Sequence, residues 1–223
     1  MRVEFVPYEF KEPIEKELLE KLLSMEERRI GILTTAQHIS QALDVVKFLN
    51  EHGKEAIFGG QVLGCNLENV KKLGEVDCFL YVGTGQFHPA GIYMAGRKRV
   101  YVLNPLSKAF GVFDESIIKK YEVRREIAKQ AFREARKVGF LVSVKPGQFN
   151  LKRAMELKEK FKDKEVYIFL FDTILPEELI NFPSIDVWVN FACPRIFDDY
   201  ERFPKPVLNW KDITEEGSEG REE

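Results

Sequence analysis

Two of the three cysteines lie where a thiol could bind a ligand. Cys193 ends the apolar segment IDVWVNFAC and is followed directly by Pro194 and Arg195. Proline fixes the backbone and removes an N–H. The arginine cation favours the thiolate, or could clamp a carboxylate through two parallel hydrogen bonds. A strand-terminal core cysteine beside a surface arginine is the alternative interpretation.

The second of these cysteines, Cys65, lies in the glycine-rich segment GGQVLGCN. Gly59, Gly60 and Gly64 permit close backbone approach, which would suit a bulky ligand such as an iron–sulfur cluster. A loop thiol without a role is the alternative. The third cysteine, Cys78, alternates within VDCFLYV and is expected to be a buried structural thiol. None lies in a CxxC pair, so any metal site must gather cysteines that are distant in sequence.

The segment GTGQFHP adds polar groups directly after a strand. Gly83 and Gly85 could let the chain approach a nucleoside or phosphate closely, but His88 occupies the third position of the dinucleotide fingerprint, so that motif is not present. His88 is a candidate polar contact, with a structural histidine as the alternative.

Two further polar segments have a functional and a structural interpretation. Gln37 and His38 in TTAQH are candidate contacts, or the polar start of the following helix. Ser107 and Lys108 in NPLSKAF are candidate anion contacts, or part of a capped turn.

The chain predicts an α/β fold of two similar parallel β-α-β-α-β domains related by a pseudo-repeat. Apolar runs bounded by turn residues predict strands, and runs with helical spacing predict helices between them. Asp77 and Asp186 occupy matching positions at the start of the third predicted strand of each set. The predicted strands are 30–35, 54–60 and 76–85 in the first set and 138–145, 165–172 and 185–193 in the second.

The predicted domain organisation has five parts. They are an N-terminal helical segment (1–27), a first α/β domain (28–110), a connecting helix (111–137), a second α/β domain (138–212) and a disordered acidic tail (213–223). Ligands collect at the carboxyl ends of parallel strands. We therefore expect Cys65 and Cys193 to face a common cleft there.

Composition restricts the function classes. The chain has 223 residues, and 34 basic against 36 acidic side chains give a net charge of −2, which argues against general electrostatic affinity for nucleic acid. No apolar run approaches the roughly 18 residues of a membrane span, and the start lacks the pattern of a secretory signal. We therefore expect a cytoplasmic protein with no membrane and no direct nucleic-acid partner, whose thiols stay reduced.

Five motifs in order identify a family resemblance. GILTTAQH, GQVLGC, YVGTGQFHP, NPLSKAF and FACPRIFDDY…FPKPVL together resemble the radical enzymes of diphthamide synthesis, the 2-(3-amino-3-carboxypropyl)histidine synthases. The resemblance extends from about residue 31 to residue 208.

The resemblance implies an iron–sulfur enzyme. Family members have three related α/β domains, each giving one cysteine to a 4Fe-4S cluster. The cluster cleaves S-adenosylmethionine to a 3-amino-3-carboxypropyl radical that alkylates a histidine of archaeal or eukaryotic translation elongation factor 2. By motif, Cys65 and Cys193 match the cluster ligands of the second and third domains.

The remaining candidates are assigned to S-adenosylmethionine. Arg195 is expected to clamp its carboxylate, with His88 and Gln37 as neutral contacts. Pro194, Gly83 and Gly85 complete the expected cofactor-binding set, while the resemblance does not assign a catalytic residue.

One departure affects the expected activity. The chain begins where the second family domain would begin, so the sequence predicts a short form without the first domain and its cysteine. We expect a homodimer or a heterodimer with a full-length relative. The alternatives are a non-catalytic paralogue that accompanies a full-length synthase, and a nucleotide-binding α/β protein with inert thiols.

Overall fold

The computed structural model describes residues 8–63 and 67–219, except for the side chains of 197–198 and 215–219. The chain forms two compact units, Met1–Ile118 and Lys119–Glu223. Each unit contains one β-sheet. Among the helices of the described ranges, none is long and apolar enough to cross a membrane.

The first unit is built on a sheet with the strand order β2-β1-β3-β4-β5. All neighbouring strands are parallel except β4 and β5, which form an antiparallel hairpin. Short 3-10 helices follow α1 and β1, at Leu22–Ser24 and Ala36–His38. The elements are α1 (Lys16–Lys21), β1 (Arg29–Thr34), α2 (Ile39–Glu51), β2 (Glu55–Gln61), α3 (Glu68–Lys72), β3 (Cys78–Val82), α4 (Phe87–Gly96), β4 (Val100–Asn104) and β5 (Ala109–Val112).

The second unit repeats this strand order. Helix α5 (Ser116–Glu134) leads into it, and its sheet runs β7-β6-β8-β9 with every neighbouring pair parallel. Two 3-10 helices, Pro176–Asn181 and Pro194–Arg202, precede and follow β8. The other elements are β6 (Lys137–Ser143), α6 (Leu151–Lys158), β7 (Glu165–Phe171), β8 (Val187–Asn190), β9 (Val207–Asn209) and α7 (Trp210–Glu219).

An aspartate accepts equivalent backbone hydrogen bonds in both units. Asp77 lies one residue before β3, and its Oδ2 accepts hydrogen bonds of 2.8 and 3.2 Å from the N–H of the first residue of β1 and of the residue before it. Asp186 lies one residue before β8 and accepts equivalent bonds of 2.8 and 3.0 Å at the start of β6. These backbone hydrogen bonds hold the pKa of Asp77 below its ordinary value. The predicted match between the two aspartates is confirmed.

A lysine is repeated in the same way. Lys54 and Lys164 each lie one residue before the second strand of their unit, and each ammonium group donates to two carbonyls. Those carbonyls belong to the residues four and two positions before the first strand. With the shared order of the first four strands, these contacts confirm the predicted α/β pseudo-repeat, to which the antiparallel β5 adds one strand.

Both central strands are buried on two faces, as parallel strands under helices require. All residues of β3 and β8 are buried. Successive side chains of a strand point to opposite faces, so Leu80 and Tyr81 belong to different apolar clusters, and so do Trp188 and Val189. Each sheet therefore separates two apolar layers.

Several elements differ from the sequence prediction. The N-terminal helix is one short α-helix and a 3-10 turn, and Leu23, predicted on its apolar side, is 37% exposed. Helix α4 and strands β4 and β5 had no predicted counterpart. Residues 213–219, predicted as disordered tail, are part of α7, because Ile213 packs into the core of the second unit. Residues 220–223 lie outside the described ranges.

We expect Gly139→Ala to lower the free energy of unfolding by about 1–3 kcal/mol, because overpacking forces a rigid core to shift. A Cβ at this position in β6 would lie 2.2 Å from Trp188, which is fully buried. Urea unfolding followed by far-ultraviolet circular dichroism measures the change.

Gly111→Ala is the matched control, since a Cβ there meets no atom within 4 Å. Its free energy of unfolding should stay within about 0.5 kcal/mol of the wild type. Equal effects of the two substitutions would contradict the role assigned to close packing.

Candidate functional site

Cys193 lies just beyond the carboxyl end of the central strand β8. It is half-buried and has an extended backbone (φ −71°, ψ 127°), the conformation that a following proline imposes. Pro194 then begins a 3-10 helix, and the Cys193 carbonyl accepts a 3.0 Å bond from Ile196 N–H. The strand, the proline and the helix together fix the backbone position of Cys193, from which the thiol side chain extends.

A buried asparagine closes the turn that carries this thiol. Asn190, the last residue of β8, is 1% exposed. Its Nδ2 donates 2.8 Å bonds to the carbonyl of Cys193 and to Oδ1 of Asn209, and its Oδ1 accepts a 2.9 Å bond from Ala192 N–H. One side chain therefore satisfies polar groups on both sides of the turn.

Two other elements contact the same turn. Asn150, the residue before α6, donates a 2.7 Å bond from Nδ2 to the carbonyl of Phe191. Asn209 is held in turn by Asp212, whose Oδ2 accepts its N–H at 3.0 Å and whose Oδ1 accepts a 2.7 Å bond from Arg125 Nε. The thiol-bearing turn is thus connected to α5, α6, β9 and α7.

Arg195 occupies the first turn of the helix after Cys193 and is exposed. Only Pro194 separates this permanently charged side chain from Cys193 in the sequence. This arrangement is compatible with the predicted clamp on a carboxylate, which stays a prediction.

A second polar group lies at the carboxyl ends of β6 and β7. Lys145 Nζ donates a 2.9 Å bond to Thr173 Oγ1, and Thr173 Oγ1 donates to Asp172 Oδ2 at 3.1 Å. Ser143, the last residue of β6, accepts the N–H of Lys145 through its hydroxyl at 3.2 Å. These loops are at the same end of the sheet as Cys193, because all its strands are parallel.

In the first unit, Gly83, Gly85 and His88 follow the carboxyl end of β3. Gly83 is buried, and a Cβ there would lie 2.5 Å from the hydroxyl of Tyr81, so glycine makes room for this side chain. Gly85 has a φ of +76°, in the left-handed region that glycine favours. Local packing and turn geometry therefore account for both glycines.

His88 is half-buried in the first turn of α4 and pairs with Tyr81. The two rings stack at 5.6 Å, and Tyr81 Oη lies 3.3 Å from His88 Nδ1. Burial raises the pKa of Tyr81 to about 12, so the phenol stays protonated at neutral pH. The sequence did not indicate the contact between Tyr81 and His88, because the position of Tyr81 in an apolar run predicts an ordinary buried strand residue.

Gln37 and His38 have different environments at the carboxyl end of β1. Gln37 is exposed, which leaves it available as a contact. His38 is 3% exposed, stacks on Phe10 at 5.0 Å and has Gln41 Oε1 2.6 Å from its Nδ1. Its partners support the structural interpretation of His38.

Cys65, with Gly64 and Asn66, lies outside the described residues. The two preceding glycines have local explanations. A Cβ on Gly59 would lie 2.5 Å from Leu73, and Gly60 has a φ of +86°. Packing and backbone geometry account for these two glycines, and close approach of a bulky ligand at this segment stays a prediction. The common cleft for Cys65 and Cys193 stays a prediction.

Cys78 is fully buried in β3, as the alternation of its strand predicted. Burial and the nearby carboxylates of Glu27 and Asp77 raise the pKa of its thiol to about 12. A thiol with this pKa is a poor nucleophile and a poor source of thiolate at neutral pH.

Ser107 and Lys108 belong to the turn between β4 and β5. Asn104 Oδ1 accepts the N–H groups of Leu106 and Ser107 at 3.0 and 3.1 Å, and Lys108 pairs with Glu15. The capped-turn alternative accounts for this segment.

The donor chemistry of the second unit fits an iron–sulfur cluster ligand. Clusters are bound by cysteine thiolates near backbone N–H groups, and Cys193 presents a half-buried thiol on a turn with a fixed backbone. Among the side chains that the structure describes, no group of three or more metal-binding residues comes together.

Fold and thiol position define a class: a pseudo-repeated, mostly parallel α/β protein with a cysteine at a strand's carboxyl end. The family model for diphthamide synthesis protein matches residues 1–214. The chain belongs to the diphthamide synthesis protein family.

Relatives of known sequence agree with this family. The chain is 37% identical over 199 residues to 2-(3-amino-3-carboxypropyl)histidine synthase from Pyrococcus horikoshii, covering 83% of this chain and 56% of that protein. The synthase of the same name from Methanocaldococcus jannaschii is 34% identical over 81% of this chain and 49% of its own length. The chain therefore spans about half the length of these relatives.

A solved structure has the same fold. Crystalline Dph2 from Pyrococcus horikoshii with a 4Fe-4S cluster superposes with a TM-score of 0.77 and 32% identity, covering 93% of this chain and 64% of that one.

We expect Cys193 and Cys78 to differ in their reactivity towards an alkylating reagent. At pH 8 and with the chain folded, iodoacetamide should modify Cys193 and leave Cys78 unmodified, because Cys78 is buried with a raised pKa. Mass spectrometry of proteolytic peptides measures the modified fraction. Unfolding in guanidinium should expose Cys78 and serves as the control, whereas equal native labelling of both thiols would refute the burial argument.

Proposed function

We propose that this chain takes part in the transfer of a 3-amino-3-carboxypropyl group from S-adenosylmethionine to a histidine of translation elongation factor 2, the first step of diphthamide synthesis. The observation that carries the proposal is the position of Cys193. In a chain of this family, a half-buried thiol follows the central strand of the second sheet and precedes Pro194 and Arg195. The Dph2 structure with a similar fold contains a 4Fe-4S cluster, which supports the same conclusion.

Cys193 and Cys65 would ligate the 4Fe-4S cluster in this proposal. For Cys193 the support is structural, since its backbone is fixed by hydrogen bonds and its thiol is partly accessible. For Cys65 the support is its motif, GQVLGC. A further thiolate would come from a partner chain or from sequence beyond this chain, because Cys78 remains protonated inside β3.

Such a cluster, when bound and reduced, would supply the electron for cleavage of a C–S bond of S-adenosylmethionine to methylthioadenosine and a 3-amino-3-carboxypropyl radical. This chain's own residues bind and orient the substrate. The exposed Arg195 guanidinium would hold the methionyl carboxylate through two parallel donors. The exposed Gln37 and the half-buried His88 are proposed as neutral contacts, and Gly83 and Gly85 shape the loop before His88.

The proposal extends to the partners of the chain. Translation elongation factor 2 is its protein substrate, and the working assembly is a homodimer or a heterodimer with a full-length relative. Either kind of dimer would provide cysteine ligands in addition to Cys193 and Cys65 of one chain. We place this activity in the cytoplasm, where elongation factors act and thiols stay reduced.

We expect the full chain, reconstituted anaerobically with iron and sulfide, to release methylthioadenosine from S-adenosylmethionine when dithionite is added. Chromatography measures the product of the chain alone and of the chain with a full-length relative, after the product of the relative by itself has been subtracted. Cys193→Ala should reduce both bound iron and product to background, because a cluster ligand is lost.

Cys78→Ala is the control for Cys193→Ala, since it removes a thiol that is buried inside β3 and stays protonated. Iron uptake by the chain without cleavage, alone or above the level of the full-length relative by itself, would favour the alternative of an accessory subunit. A chain that takes up no iron in either mixture would contradict the proposal.

Arg195→Lys should weaken binding of S-adenosylmethionine about tenfold or more, because lysine keeps the charge but loses the planar pair of donors. Isothermal titration of the reconstituted chain measures the affinity. Arg202→Lys is the matched control, because Arg202 lies at the other end of the same 3-10 helix and pairs with Glu177. Unchanged affinity in Arg195→Ala would remove Arg195 from the proposed role.

A further inference from the structure

The turn that carries Cys193 has its backbone fixed mainly by side chains. A strand that ends leaves N–H and C=O groups without ladder partners, and buried groups of this kind must find others. Here the carbonyls of Phe191 and Cys193 accept from asparagine amides, and the N–H of Ala192 donates to an asparagine oxygen. The position of the thiol therefore depends on asparagine side chains.

Asn190 makes most of these bonds and is itself buried. It is 1% exposed, and its three bonds of 2.8–2.9 Å use both Nδ2 hydrogens and one lone pair of Oδ1. The amide orientation is determined, because Oδ1 faces an N–H while Nδ2 faces two oxygen acceptors. A side chain with this set of bonds has one orientation available to it.

Asn209 fixes the amide of Asn190 in turn. It is the last residue of β9, the neighbour of β8, and Asn190 pairs with it across the two parallel strands. Its Oδ1 accepts the second Nδ2 hydrogen of Asn190, while its own N–H is bonded to Asp212. The two strands thus end in a linked pair of asparagines.

We propose that Asn190 is a positioning residue that holds the Cys193 thiol in place for cluster ligation, with Asn209 orienting its amide. This inference rests on the proposed function, because it assigns to Cys193 the role of a cluster ligand. Asn190 itself contacts backbone groups and another asparagine, and it acts through Cys193. A preorganised ligand binds more tightly because less motion is lost on binding.

The experiment compares Asn190→Ser with Asn50→Ser in the full chain. Asn50 is the control: its side chain also bonds two backbone groups, the N–H of Ala56 at 2.8 Å and the C=O of Ala56 at 3.2 Å, but it is exposed and belongs to the first unit. The first readout is the alkylation rate of Cys193 by iodoacetamide without iron, in a Cys65→Ser background. The second is the half-time of iron loss to a chelator after anaerobic reconstitution, with Cys65 intact.

We expect Asn190→Ser to raise the alkylation rate and to shorten the half-time of iron loss, each by about tenfold, the factor that corresponds to one lost buried hydrogen bond. Asn50→Ser should leave both readouts at wild-type values, because it removes no contact of the turn that carries Cys193. Equal readouts for Asn190→Ser and the wild type, or an equal shift in Asn50→Ser, would overturn the inference.

Asn209→Ala provides a second variant in case Asn190→Ser does not fold. It removes one acceptor and keeps the bond from Asn190 to Cys193, so a smaller shift in the same direction is expected, and no shift counts against the inference. A wild-type chain that takes up no iron, either alone or with a full-length relative, overturns the proposed function. In that case the ratio of the Cys193 alkylation rates in Asn190→Ser and Asn50→Ser, measured without iron, still decides whether Asn190 holds Cys193 in position.

Discussion

The structure depends on satisfying the backbone where buried parallel strands end. In both units a side chain from a neighbouring strand or helix replaces the missing ladder partner. The hydroxyl of Thr34 donates to the carbonyl of Val82 at 2.7 Å, and Asn69 donates to the carbonyl of Gln61 at 2.7 Å. In the second unit Asn150, just before α6, donates to the carbonyl of Phe191, and Asn190, at the end of β8 itself, donates to that of Cys193. Loops that begin from strands terminated in this way have fixed starting points, which is what a ligand site at their tips requires.

Close packing beneath these loops sets a second constraint. Gly31 of β1 faces Phe79 of β3, and Gly139 of β6 faces Trp188 of β8, as paired residues of adjacent parallel strands. In each unit a large ring fills the space that the glycine leaves, and the added Cβ would lie within about 3 Å of it. The central strands are therefore held in register by shape as well as by hydrogen bonds.

The sequence predicted most of the fold because strand–helix alternation is a local property. The match of Asp77 and Asp186 and the burial of Cys78 followed from position within apolar runs, and the structure confirms both. Helix α4 was not predicted because FHPAGIYMAG contains proline and two glycines and lacks a polar face. Asn190 and Tyr81 went unrecognised for a different reason, since their roles depend on contacts with Asn209 and His88 that no spacing rule reveals.

The contacts of the repeated aspartate and lysine indicate how the two units are related in evolution. Asp77 and Lys54 in one unit, and Asp186 and Lys164 in the other, make the same contacts at the amino ends of the strands. The carboxyl ends use different side chains, because the fourth residue after the aspartate is Tyr81 in one unit and Asn190 in the other. This division is what an internal gene duplication produces when the two copies retain one end as a shared foundation and diverge at the other. Each copy can then acquire its own ligand chemistry without a change to the contacts that make it fold.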